Sequence, residues 1–200
     1  RENFYNVLQN FSEKCFVPIT AGGNIESVSE IEKLLKLGAD KVSINTATKN
    51  EEFIKRASKT FGSNCIVVSI DCKKDNDKYK IFFNRGTESV EFNPATYAKK
   101  LQLLGAGEIL IQSIDRDGTL EGYDIELINL ISKDLNIPVL ACSGAGNWKH
   151  FFECFKKTNV AGVCTTNIYH FTNNSVINAK KFLNRNQITV RMPKTLNNLN

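Results

Sequence analysis

An aspartate that ends an apolar strand is the first residue of this chain with an evident capacity for chemistry. Asp71 closes the run CIVVSID at 65–71, in which only Ser69 among the preceding residues is polar. A carboxylate in an apolar setting is costly to bury unless it is paired, hydrogen-bonded or used in a reaction. We therefore predict that Asp71 is a general acid or base, with a helix cap or a lysine partner as the structural alternative.

Three polar turns suggest a ligand that carries negative charge. The run DRDGT at 115–119 follows an apolar strand, so its amides and hydroxyl can hold a phosphate while Asp117 orients a sugar hydroxyl. Glycine-rich turns at 22–23 and 144–146 let backbone amides approach an anion at a helix start. Two such turns favour an elongated substrate with a phosphate at each end.

A sequence repeat relates these two glycine-rich turns. The segment VPITAGGNI at 17–25 returns in altered form as IPVLACSGA at 137–145, an offset of 120 residues. A strand-plus-helix unit takes roughly 30 residues, so the offset corresponds to about four units and the duplication to about eight. We therefore predict a (β/α)8 TIM barrel with internal two-fold duplication. Such a barrel has about 240 to 250 residues, so we expect strands 1 and 2 to be missing from this chain of 200 residues.

Short apolar runs and amphipathic stretches alternate along the chain, as a parallel barrel requires. The predicted strands are 17–21, 41–45, 65–71, 108–115, 137–142 and 161–166, and the predicted helices are the first ten residues, 27–37, 50–61, 94–104, 124–135, 147–157 and 175–184. An insertion at 72–92 is typical of a hairpin that covers substrate. We expect one domain over 1–191 and a flexible tail over 192–200.

Composition narrows the class of protein. The chain is 42% apolar and 24% charged, as expected for one soluble domain, and it contains neither an apolar run long enough to span a membrane nor a signal-peptide pattern. Its net charge of +5 is dispersed, which argues against nucleic-acid binding. Six cysteines without a C-x-x-C pair indicate reduced thiols in the cytoplasm. We expect no metal ion and no cofactor.

Four segments closely resemble one enzyme family. They are GADKVSINT, VVSID, LGAGEILIQSIDRDGTLEGYD and SGAGN, and they resemble the cyclase subunit of imidazole glycerol phosphate synthase, the HisF family. The resemblance implies a (β/α)8 barrel of histidine biosynthesis that forms a heterodimer with a glutaminase and uses its ammonia. Such a lyase joins ammonia to a bisphosphorylated ribulosyl-formimino aminoimidazole carboxamide nucleotide, giving imidazole glycerol phosphate and aminoimidazole carboxamide ribotide.

The same resemblance assigns roles to individual residues. Asp71 matches one of two acid–base aspartates, and the other is expected upstream of Arg1, while Asp117 matches a residue that contacts substrate. Lys41 and Glu108 match a charged gate through which ammonia enters. The positions matching substrate and phosphate contacts are Gly22, Gly23, Asn24, Asn45 and Thr46 for one phosphate, Gly118, Gly144, Thr166 and Asn167 for the other, and Gln112 and Ser143 beside them.

Several positions depart from the usual family pattern. Asn24 stands where glycine is usual, Gln112 where threonine is usual, Cys142-Ser143-Gly144 where Ser-Gly-Gly is usual, and Thr166-Asn167 where Ala-Ser is usual. The C-terminal pattern resembles a paralogous branch that delivers ammonia for acetamidino-sugar synthesis. A non-catalytic ammonia-channelling partner and the sister aminoaldose isomerase are further alternatives.

Overall fold

A curled sheet of parallel strands forms the centre of the computed structural model, which describes residues 1–170 and 175–192. In that part of the chain the strands are β1 (Thr20–Gly22), β2 (Lys41–Ile44), β3 (Ile66–Asp75), β4 (Lys78–Phe83), β5 (Glu88–Val90), β6 (Glu108–Ser113), β7 (Val139–Cys142) and β8 (Gly162–Val163). The parallel order is β1-β2-β3-β6-β7-β8, with β4 and β5 joined antiparallel to β3. All six predicted barrel strands are confirmed.

Helices connect the strands, so the predicted α/β fold of the TIM-barrel type is also confirmed. They are α1 (Glu2–Ser12), α2 (Val28–Lys36), α3 (Glu51–Phe61), α4 (Pro94–Leu103), α5 (Ile125–Ser132), α6 (Trp148–Lys157), α7 (Asn167–His170) and α8 (Val176–Arg185). Ser27 and Asn93 accept hydrogen bonds from backbone N–H groups and cap α2 and α4. The short α7 was not predicted, because four residues carry no helical periodicity.

The two faces of the sheet have different chemical character. Alternate residues of the parallel strands pack against the helices and form the core; in β3 these are Ile66, Val68, Ile70 and Cys72. The residues between them point to the concave face, where Ser43, Ser69 and Gln112 line a cavity. Because strand side chains alternate between faces, the apolar face fixes the register and places the polar residues inside the curl.

The insertion after β3 is the predicted hairpin. β3 continues past the sheet as far as Asp75 and pairs with β4, which pairs in turn with β5. Lys74 N donates to Asp115 Oδ2 at 2.7 Å, and Tyr79 Oη donates to Asp124 Oδ1 at 2.9 Å. Asp115 and Asp124 therefore hold the hairpin against the loop after β6.

Two further observations concern membrane-spanning helices and the C-terminal tail. No helix within 1–170 or 175–192 is long and apolar enough to cross a membrane. The predicted tail over 192–200 lies, apart from its first residue, outside the described residues.

Candidate active site

Asp71 lies where β3 leaves the parallel sheet. It is paired with Gln112 of β6 on one side and with Phe82 of the hairpin on the other. Ser69, two residues earlier on the same face, donates a hydrogen bond from Oγ to Asp71 Oδ1 at 2.7 Å. Burial raises the pKa of the Asp71 carboxyl, and the Ser69 hydrogen bond opposes that shift. A fixed carboxyl with a raised pKa is suited to proton transfer.

A cavity of about 770 Å³ surrounds this carboxyl on the concave face. The sequence-predicted residues that line it are Gly22, Gly23, Asn24, Asn45, Thr46, Asp71 and Gln112. They come from four strand ends, β1, β2, β3 and β6, which meet at the same edge of the sheet. The structure therefore brings together Asp71 and the residues that resemble one phosphate site.

Hydrogen bonds fix the side chains of this first cavity. Asn45 Nδ2 donates to the carbonyl oxygen of Ser69 at 3.1 Å. The Thr46 hydroxyl donates to Asn45 Oδ1 at 3.2 Å and accepts from the backbone N–H of Asn84 at 3.0 Å. The end of β2 is therefore connected both to the strand of Asp71 and to the tip of the hairpin.

A second cavity, of about 130 Å³, lies beyond β6. Its lining includes the predicted residues Asp117, Gly118, Ser143, Gly144, Thr166 and Asn167. The Ser143 hydroxyl is buried and has no hydrogen-bond partner among the described residues. Residues predicted for the second phosphate are thus also adjacent, in a cavity separate from that of Asp71.

The duplicated turns have matching backbone conformations. Gly23 and Asn24 have φ angles of 103° and 52°, and the positions 120 residues later, Ser143 and Gly144, have 81° and 90°. Asn24, which stands where glycine is usual in the family, has the lowest of these four φ angles, and asparagine tolerates that left-handed conformation better than most residues do. Each turn lies a few residues before a helix, α2 or α6, and those helices are capped by Ser27 and Asn147.

The two cavities are adjacent across the β6–β7 pair. Gln112, which lines the first cavity, is registered opposite Cys142, which lines the second. Burial raises the pKa of the Cys142 thiol, and hydrogen bonding by Ser143 opposes that shift.

Lys41 and Glu108 lie at the opposite end of the strands. They begin β2 and β6, and Lys41 Nζ forms an ion pair with Glu108 Oε1 across β3. Their side chains are 27% and 17% exposed, so the pair is largely shielded from solvent. No group of three or more histidine, cysteine, aspartate or glutamate side chains within the described ranges is arranged to hold a metal ion.

Sequence reasoning missed several residues of the first cavity, among them Ser69 and Arg85. Ser69 has the same parity along β3 as Asp71, so strand alternation could have identified it. Arg85 lies at the hairpin tip and lines the cavity, and no local pattern indicates where a hairpin tip will point. Asp115, the first residue of the run DRDGT, accepts a hydrogen bond from the hairpin backbone.

The curled sheet of parallel strands and its connecting helices define a protein of the TIM-barrel type, and comparison with known proteins gives the family. The sequence model of the family described as "Histidine biosynthesis protein" matches residues 1–175. Imidazole glycerol phosphate synthase subunit HisF of Clostridium botulinum (strain Okra / Type B1) is 41% identical over 195 residues, covering 96% of this chain and 77% of that protein.

Relatives from other organisms carry the same name. The HisF subunit of Hydrogenobaculum sp. is 43% identical over 194 residues, and that of Methanosarcina acetivorans is 36% identical over 211 residues. Each alignment covers 96% of this chain and 77% of the relative. The chain therefore belongs to the histidine biosynthesis family, among the imidazole glycerol phosphate synthase subunits HisF, a membership that implies a catalytic role in that pathway.

Proposed function

We propose that this chain is the ammonia-using cyclase subunit of an imidazole glycerol phosphate synthase. It joins ammonia from a glutaminase partner to a bisphosphorylated ribulosyl-formimino aminoimidazole carboxamide nucleotide. The products are imidazole glycerol phosphate and aminoimidazole carboxamide ribotide, so the reaction is of the lyase type. The sugar-amidination alternative is not favoured, because the relatives described above carry the HisF name.

One observation carries this proposal: the Asp71 carboxyl, held by Ser69, shares a cavity with the turn at 22–24, and the duplicated turn at 143–144 lines an adjacent cavity. Cyclisation requires proton transfers at the reacting nitrogen and carbon atoms, and Asp71 is the group we assign to them. The turn at 22–24 with Thr46 is assigned to one phosphate. Gly144 and its neighbours are assigned to the other, and Asp117 to a sugar hydroxyl.

The substitution Asp71→Asn tests the catalytic assignment. Asparagine keeps the shape of the side chain and removes its acid–base function, so ammonium-dependent turnover of the nucleotide is expected to fall by about 10²- to 10⁴-fold. Asp134→Asn is the matched control, because it removes the same charge from an exposed position at the end of α5. Turnover of the Asp71→Asn protein within threefold of the control would refute the assignment.

The Lys41–Glu108 pair supports a second part of the proposal, the entry of ammonia from a glutaminase partner. The pair closes the end of the sheet remote from Asp71, as a gate between the subunits would. In the complex with the glutaminase, Glu108→Gln is expected to lower glutamine-dependent turnover several-fold more than turnover with added ammonium salt. Glu32→Gln, from an exposed pair on α2, is the control. Equal losses in the two assays would count against a gate.

We also assign residues 1–191 to one barrel domain, with residues 192–200 as a tail. The core cluster supports this assignment, because it extends from Leu8 in α1 to Leu183 in α8. Limited proteolysis is expected to remove the tail first, and early cleavage between barrel strands would contradict a single domain.

The six free cysteines support a cytoplasmic location. Rapid thiol labelling of unreduced cell extract checks it, and disulfides in that sample would contradict it.

A further inference from the structure

Arg85 is a basic residue of the first cavity to which the proposed function assigns no role. It occupies the tip of the β4–β5 hairpin and lines the cavity that also contains Asp71, Thr46 and the turn at 22–24. The hairpin starts from the strand of Asp71 itself, since β3 continues into it without a break. The tip therefore returns a basic side chain to the mouth of the cavity.

The backbone at this tip is unusual for an arginine. Asn84, Arg85 and Gly86 have φ angles of 49°, 60° and 81°, so three consecutive residues are left-handed. Glycine and asparagine adopt this conformation readily, whereas arginine does so at an energetic cost. A residue held in an unfavourable conformation beside a cavity is a reason to look for a function of its side chain.

Contacts on both sides hold the tip in place. The backbone N–H of Asn84 donates to Thr46 Oγ1 at 3.0 Å, and Asn84 Nδ2 donates to Glu88 Oε2 at 2.7 Å. Glu88 is also paired with Lys49, at 2.6 Å, in the segment after β2. The position of Arg85 is therefore fixed relative to Thr46, one of the residues assigned to a phosphate.

The charge of Arg85 is not neutralised within the described residues. No carboxylate among them lies within 4.0 Å of its guanidinium, and none of its side-chain atoms is hydrogen-bonded to them. Arg1 also lines the cavity, but its guanidinium is paired with Glu30 and donates to the carbonyl oxygens of Gly23 and Asn24. Arg85 is thus the cation available to an anion in this cavity.

We propose that Arg85 binds the phosphate group that occupies the turn at 22–24, closing over it from the hairpin. This inference rests on the proposed function and adds a residue to it. A guanidinium donates two parallel hydrogen bonds to a phosphate, which gives both affinity and orientation. Backbone N–H groups approach the anion from the turn, and the guanidinium approaches it from the opposite side.

Binding of two probes to the full-length protein tests the role of Arg85. The probes are the bisphosphorylated nucleotide, followed by calorimetry, and inorganic phosphate, followed by NMR shifts of the amides of Gly23 and Asn24. Arg85→Met is expected to raise Kd for both by about 10- to 100-fold, the usual loss for a hydrogen-bonded ion pair. The Kd values of Arg85→Lys are expected to lie between those of the wild type and those of Arg85→Met. Arg56→Met, which removes the same charge from an exposed position on α3, is the control.

The variant Arg85→Gly separates a binding role from a structural one. Glycine accepts the left-handed backbone, so the unfolding midpoint is expected to be unchanged or raised while the loss of affinity equals that of Arg85→Met. In ammonium-dependent turnover, KM is expected to rise while kcat stays within about threefold. An Arg85→Gly protein with wild-type Kd values would overturn the proposal.

The two probes also separate failure of this inference from failure of the proposed function. A full-length protein that contains the expected upstream aspartate and binds inorganic phosphate at Gly23 in an Arg85-dependent way, but does not convert the nucleotide, refutes the cyclase function and supports Arg85. A protein that converts the nucleotide with equal KM in the wild-type and Arg85→Met forms refutes the role of Arg85 alone. If the wild type binds neither probe, both the role of Arg85 and the proposed function are refuted.

Discussion

Gly144 is the position at which the structure makes the sharpest prediction about stability. Its φ angle is 90°, and a Cβ built there would lie 2.2 Å from the carbonyl oxygen of Gly122 and 3.1 Å from Arg116 Cβ. The obstacle is backbone, and it is held in place because the N–H of Gly122 donates to the Gly144 carbonyl at 2.7 Å. Gly144→Ala must therefore displace the loop after β6 or the turn after β7.

Two separate contributions determine how far Gly144→Ala lowers the free energy of unfolding. A left-handed alanine costs about 1–2 kcal/mol, and a forced backbone shift in a packed region adds about 1–3 kcal/mol. The free energy of unfolding is thus expected to fall by about 2–5 kcal/mol, and the unfolding midpoint by roughly 5–15 °C. Because the displaced turn lines the second cavity, affinity for phosphate in that cavity is expected to fall as well.

Gly118 provides the matched control in the same cavity. Its φ angle is 75°, and a Cβ there would meet nothing within 4 Å. Gly118→Ala is therefore expected to lose only the conformational term, about 1–2 kcal/mol. Thermal and urea unfolding followed by circular dichroism give both values. Equal losses for the two variants would refute the view that the close approach of Gly122 is what requires glycine at 144.

Three further outcomes are expected. Burial raises the pKa of Asp71, so the native state holds its proton more tightly than the unfolded chain does. The free energy of unfolding of the wild type should therefore fall relative to that of Asp71→Asn as the pH rises above 3.8. Urea unfolding at several pH values measures this difference, and a difference that does not change with pH contradicts the expectation. Tyr79→Phe removes the hydroxyl donated to Asp124, so proteolysis within 72–92 should accelerate about threefold or more, and an unchanged rate contradicts it. Thr48→Val leaves the buried Tyr97 hydroxyl without its partner, so the free energy of unfolding in urea should fall by about 1–3 kcal/mol. In the double variant with Tyr97→Phe, which removes that hydroxyl, the loss should be smaller.

Much of the fold was predictable because the signals are local. Six apolar strands, their intervening helices and the caps Ser27 and Asn93 follow from periodicity and capping chemistry, which depend on residues close in sequence. The 120-residue repeat predicted a duplicated barrel, and the matching left-handed turns agree with it. Parity along β3 placed Asp71 on the concave face, because strand side chains alternate strictly.

The tertiary structure alone decided how these parts divide into sites. Curvature of the sheet separates the two predicted phosphate turns into two cavities, with Gln112 beside Asp71 and Asp117 beyond it. The direction of the hairpin brings Arg85 to the first cavity and occupies Asp115 as an anchor. Such contacts join residues far apart in sequence, so they depend on register and packing across several strands, which no local pattern records.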